Sequence, residues 1–138
     1  MNDILWQFPV PLTGLIRGPR FEILPKRQCE ISFSIEAKDG SEKWISLLFS
    51  GVEVYKCTYL TSLGSVPQDL RTEAYGKLIA VTNSHWLDEV NKYFQEYHKA
   101  MPTKPQPLQH MMINFDDGPC YELICTSFKL LENQVNRS

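Results

Sequence analysis

Apolar and polar residues alternate most regularly between Cys29 and Glu36. Cys29, Ile31, Phe33 and Ile35 are apolar, while Glu30, Ser32, Ser34 and Glu36 are polar. A period of two puts the two sets on opposite sides of a strand, with one face buried and one wet. Lys38-Asp39-Gly40 then reads as a turn, and the mostly apolar run Trp44–Phe49 as the second strand of a hairpin. Trp6, Phe8 and Val10 also alternate, but Pro9 and Pro11 lack the N–H a central strand needs, so this short strand belongs at an edge.

Gly18-Pro19 predicts a turn that opens an extended piece at Phe21 and Ile23. Gly51 predicts a bulge or tight corner before a strand over 52–60, in which Val52, Val54 and Lys56 share a face. Gly64 and Pro67 make 61–72 a loop, and Leu78-Ile79-Ala80-Val81 centres a further strand over 75–82.

The period changes after Asn83-Ser84, a helix start in which a short side-chain oxygen accepts an orphan backbone N–H. Leu87, Val90, Phe94, Tyr97 and Met101 recur at spacings of three and four, widened by Trp86, Tyr93 and Ala100. This stripe predicts one long helix over about residues 84–101, ended by Pro102. The proline-rich connector that follows is extended and leads into the last hairpin.

That hairpin spans 110–130, with Asp116-Asp117-Gly118-Pro119 as its turn. Apolar residues fall on both faces of each strand, as in the middle of a packed sheet. The turn predicts that Phe115 pairs with Cys120, Met112 with Leu123, and His110 with Cys125. His110 and Cys125 then share one face, and Glu122 lies opposite Ile113 on the other. A carboxylate among apolar neighbours needs a cavity to line, a partner such as a Lys or Arg from another element, or a place at a wet edge. The fold class is α+β: a curved, mostly antiparallel sheet or partly closed barrel of six to eight strands, packed on the one helix as a single domain over 1–138.

Composition narrows the functional classes. The chain has 138 residues, 43% of them hydrophobic and 22% charged, with a formal net charge of −2. These values describe a globular chain with no electrostatic footprint for nucleic acid or an anionic membrane. No apolar run is long enough for a membrane helix, and the N-terminal residues lack the basic start of a signal peptide. Cys29, Cys57, Cys120 and Cys125 form no CxxC pair and are read as reduced thiols, which points to the cytoplasm.

Candidate chemistry is sparse. His85 and His98 lie thirteen positions apart on one helix, about 20 Å at the standard rise, so they cannot share an ion. Neither a zinc-type spacing, a calcium loop nor a phosphate-binding glycine motif is present, and no cofactor is expected. The residues singled out for a ligand are Glu122, His110, Cys125 and the adjacent Tyr121, with His110–Cys125 the one nucleophile–base pair. For a protein partner they are Asp88 and Glu89 on the helix and the basic cluster Arg17, Arg20, Lys26 and Arg27. The resulting expectation is a non-enzymatic binding protein of immunity or inhibitor type, docking another protein through a shaped, charged surface. The alternatives are a domain that holds a small apolar ligand in an aromatic-lined cavity, and an enzyme using His110, Cys125 or Glu122. The oligomeric state is left open.

Overall fold

The computed structural model of the chain describes residues 2–115 and 119–135. Its strands form two antiparallel sheets that share one core. Strands β1 (Asp3–Gln7), β5 (Val54–Thr58), β6 (Lys77–Ala80), β7 (Gln109–Asn114) and β8 (Cys120–Cys125) make a five-stranded sheet in the order β1-β6-β7-β8-β5. Strands β2 (Leu15–Leu24), β3 (Gln28–Glu36), β4 (Glu42–Ser50) and β9 (Ser127–Val135) make a four-stranded sheet in the order β2-β3-β4-β9. The expected single curved sheet or barrel of six to eight strands is therefore corrected to two open sheets with nine described strands.

The alternation in β3 sets the core between them. Cys29, Ile31, Phe33 and Ile35 point inward with Ile45, Leu47 and Phe49 of β4, against Leu78, Met111, Ile113, Leu123 and Cys125 of the other sheet. Phe8, Phe33 and Phe115 meet in stacked and edge-on pairs at ring separations of 4.8–5.7 Å. Burying each such side chain contributes about 1.5–3 kcal/mol.

The far face of the five-stranded sheet is buried as well. Helix α1 (Gln68–Glu73) and the 3₁₀ turn before it bring Leu63, Val66, Leu70 and Ala74 over Ile79, Met112 and Cys120. Helix α2 (His85–His98) lays Trp86, Leu87, Val90 and Phe94 over Val54, Leu108 and Ile124. Helices, five-stranded sheet and four-stranded sheet thus form three layers, which explains why β7 and β8 are apolar on both faces. Helix α1 lies within the predicted loop: its turn has little apolar surface of its own, and tertiary contact through Leu70 and Ala74 holds it in place.

Helix α2 begins at the expected cap, with the Leu87 amide donating to Ser84 Oγ at 3.0 Å. It is shorter than predicted, and its apolar stripe divides. Leu87, Val90 and Phe94 pack inward, whereas Tyr93, Tyr97 and Met101 stay exposed. Periodicity identifies a face but not how far the neighbouring sheet reaches beneath it.

Two glycines shape the chain path. Gly51, at φ +63°, turns the chain from β4 in one sheet to β5 in the other, where any side chain would collide with Thr126. Thr126 is the return corner between β8 and β9, and its hydroxyl and amide both donate to Ser50 O at 3.0 Å. Gly18, at φ +89°, lies inside β2: the predicted turn at Gly18-Pro19 is instead an irregularity in strand pairing, where the register shifts between Arg17 and Arg20. A Cβ at Gly18 would lie 2.8 Å from Ser32 O, so close backbone approach requires glycine there. β1 does occupy an edge, but it spans Asp3–Gln7 and ends before Pro9 and Pro11. The prolines thus terminate the strand rather than lie in it, and the expected strand through Phe8 and Val10 is corrected to one that starts earlier.

The final hairpin pairs one residue away from the expected register. Met112 lies opposite Glu122, His110 opposite Ile124, and Asn114 opposite Cys120. The predicted turn residues Asp116, Asp117 and Gly118 lie outside the described residues. On their near side, β7 ends at Asn114, and the Phe115 amide bonds Pro119 O at 3.2 Å in continuation of the same register, so Phe115 does not pair with Cys120.

Candidate functional site

The register correction decides which polar groups meet. A slip of one residue reverses the faces that two strands share. His110 and Cys125, expected as neighbours, point to opposite sides of the five-stranded sheet. Cys125 lies in the core between the sheets, 3.7 Å from the Met111 sulfur. His110 and Glu122 instead share the face beneath α2, and the distance from His110 Nε2 to Glu122 Oε1 is 3.0 Å. Ile113 lies opposite Tyr121, not Glu122.

Three further residues complete this cluster. Ser84 at the start of α2 lies 2.7 Å from His110 Nδ1. The Glu122 carboxylate can only accept, so Nε2–H is the donor to it; in the neutral imidazole Nδ1 is then an acceptor, and Ser84 Oγ, which accepts the Leu87 amide, has its hydroxyl proton to give there. From the neighbouring strand β5, Lys56 lies directly opposite Glu122 and places its ammonium 3.6 Å from Oε2, the carboxylate oxygen that has no hydrogen bond. The same ammonium lies 4.3 Å from the centroid of Trp86, whose ring meets His110 edge-on at 5.1 Å. Glu122 thus has the cationic partner that its apolar setting demands, supplied by the adjacent strand.

Serine, histidine and carboxylate in sequence resemble a hydrolytic relay, but the roles differ. Ser84 is committed as the helix cap, and Ser84, His110 and Glu122 are 8%, 5% and 4% exposed. The geometry serves to pin the start of α2 to β7 and β8. Ser84 and Trp86 were legible only as a cap and an apolar residue, because their link to His110 is made in three dimensions. Lys56 carried a usable signal: a strand residue sharing a face with Val54, available to the carboxylate that needed a cation.

The remaining ligand candidates are also interior. Burial pushes the Cys125 thiol up to about 12, and burial together with the nearby Glu122 charge pushes Cys120 up to about 12. Tyr121 is buried against Phe21 and Phe115, and its hydroxyl is likewise raised to about 12, chiefly by burial. Neither thiol has the thiolate character that nucleophilic catalysis requires.

The partner candidates lie elsewhere. Arg17 bonds Glu42 at 2.8 Å, Arg20 bonds Glu22 at 2.9 Å, and Arg27 bonds Glu53 at 2.9 Å, so each basic side chain has an acidic neighbour within the chain. Asp88 and Glu89 are exposed near the start of α2. Among the six partner candidates, only Arg27 lines the groove between α2 and the start of β5. This groove, of about 420 Å³, is formed by Arg27, Glu53, Val54, Val90, Tyr93, Phe94, Tyr97 and His98. Tyr93 and Tyr97 are 73% and 66% exposed although they are large and aromatic. Beside them β5, an edge strand, carries exposed Tyr55, Lys56 and Cys57.

Among the described residues no group of three or more His, Cys, Asp or Glu is placed to hold a metal ion, and no helix is long and apolar enough to cross a membrane. Comparison with protein-family models, curated proteins and solved structures found no match for the chain.

Proposed function

We propose that this chain is a protein-binding module, acting in the manner of a small inhibitor or immunity protein, whose docking face is the groove between α2 and β5. The observation that carries this reading is the exposure of Tyr93 and Tyr97 beside an edge strand. Tyrosines are enriched at the energetic centres of interfaces, because a rigid amphipathic ring buries much area at little entropic cost. Apolar Val54, Val90 and Phe94 line the groove between them, and the Arg27–Glu53 pair provides a polar rim. Asp88 and Glu89 extend the same helix as peripheral acidic contacts.

The test is affinity capture from the native organism with the intact chain and with the Tyr93→Ala/Tyr97→Ala variant. A protein retained by the first and lost from the second supports the reading. Identical captured proteins from both chains would overturn it. The groove is also large and apolar enough for a small ligand, and a thermal-shift screen with apolar metabolites separates that second reading. Burial of His110, Cys125 and Glu122 gives the enzymatic alternative no support.

A further inference from the structure

The groove has a strand edge as one wall, and that edge restricts what can occupy it. We infer that β5 accepts an extended segment of a partner protein as an added strand, and that Lys56 selects a segment bearing an acidic residue. This inference rests on the partner-docking reading above and names its chemistry.

β5 ends the five-stranded sheet, so among the described residues one side of its backbone has no paired strand. An added strand gains main-chain hydrogen bonds there, and its alternate side chains are read by whatever lies on each face. On the helix side those neighbours are Val54 and Lys56. Val54 belongs to the apolar cluster with Phe94 and lines the groove with Tyr93 and Tyr97. Lys56, two residues on, is half-exposed and held in place by Glu122 and the face of Trp86. On the other side Tyr55 lies against Phe21, with ring centroids 5.0 Å apart. The segment that fits therefore has a carboxylate opposite Lys56 and an apolar side chain two positions away in the groove.

Charge also opposes the centred pairing of β5 with a second copy of this chain. Lys56 is the middle residue of β5, which runs Val54–Thr58. Two copies pairing antiparallel about that centre would place Lys56 against Lys56, and like charges directly opposite destabilise a strand pair. A lysine at this place guards the edge against self-association while attracting an acidic strand.

The probe is a randomised library of short displayed peptides, selected on the intact chain. Enriched peptides are expected to share an acidic residue with an apolar residue two positions away. In synthetic versions, changing that acid to lysine should weaken binding about tenfold, because an attractive cross-strand pair becomes a repulsive one. N-methylation of the amides facing β5 should abolish binding, and methylation of the alternate amides should not. Varying the peptide leaves the protein intact, so misfolding cannot mimic the result. Selection without the acid–apolar pattern, or indifference to the acid or to N-methylation, overturns strand addition. Peptides that still require Tyr93 and Tyr97 in that case leave the groove reading standing, whereas peptides indifferent to both tyrosines remove it too. In sedimentation, Lys56→Thr should produce dimers from a monomeric parent. A parent chain already dimeric through β5 would overturn the gatekeeping role.

Discussion

The two sheets specify their registers by different means. In the four-stranded sheet one face is core and the other is largely polar, so β3 alternates strictly and a slip of one residue would expose Phe33 and bury Glu30. At the centre of the five-stranded sheet both faces are buried: every residue of β8 is interior. Shifting β8 by one would exchange one apolar face for another, and hydrophobicity alone hardly opposes it. What opposes it there is polar. Glu122 must meet both His110 and Lys56, and only the observed register brings them to one side. A doubly covered sheet thus relies on its few buried polar groups for the specificity that alternation supplies to a half-exposed one.

The sharpest way to break this comparison is to remove a partner in each sheet. Glu122→Leu or His110→Leu alone should cost about 1–3 kcal/mol, since the remaining polar group loses its buried hydrogen-bond partner. The double variant should cost clearly less than the sum of the two singles in urea titration. Additive losses would show that the pair does not act as a unit. In the four-stranded sheet Lys43 and Glu132 also form an ion pair, at 3.1 Å, but both side chains are partly exposed. Lys43→Ala should therefore cost no more than about 1 kcal/mol.

Alkaline pH offers a second contrast, because Cys120 and Cys125 both belong to β8. Burial raises each folded-state thiol from 9.0 to about 12. Above about pH 9 the unfolded chain releases these protons while the folded chain retains them, so stability falls as pH rises. The contribution is fully present below that point and is lost toward pH 12. Each thiol adds a slope of about 1.4 kcal/mol per pH unit within the window. Tyr121, also raised to about 12, acts in the same direction from its ordinary 10.0. Cys120→Ala/Cys125→Ala should flatten denaturation midpoints measured between pH 9 and 11. An unchanged slope would place the alkaline sensitivity elsewhere.

The smallest effect concerns the link between sheet and helix. Ser84→Ala removes the cap of α2 and one hydrogen bond to His110, and should cost about 1 kcal/mol. Hydrogen exchange should quicken at the start of α2 and leave β3 and β4 unaffected. Equal acceleration in the four-stranded sheet would mean that the two regions unfold together rather than as separable units.

Much of this architecture was legible in the sequence. The hairpin of β3 and β4, the corner at Gly51, the cap at Ser84 and the interior character of β7 and β8 follow from period, glycine and short polar side chains. These are local properties, since each depends on conformations and hydrogen bonds within a few residues. The demand of Glu122 for a partner was legible too, but the partner was not. A sheet buried on both faces carries no alternation to fix its register, so the meeting of His110 with Glu122, Lys56 and Ser84 was decided by packing among four separate segments. Tertiary structure also decided that the strands divide into two sheets, because Gly51 and Thr126 pass the chain between layers at corners that periodicity does not orient. It decided which part of the α2 stripe is core: Phe94 lies above the sheet, while Tyr93 and Tyr97 extend into a groove that exists only where helix and strand edge come together.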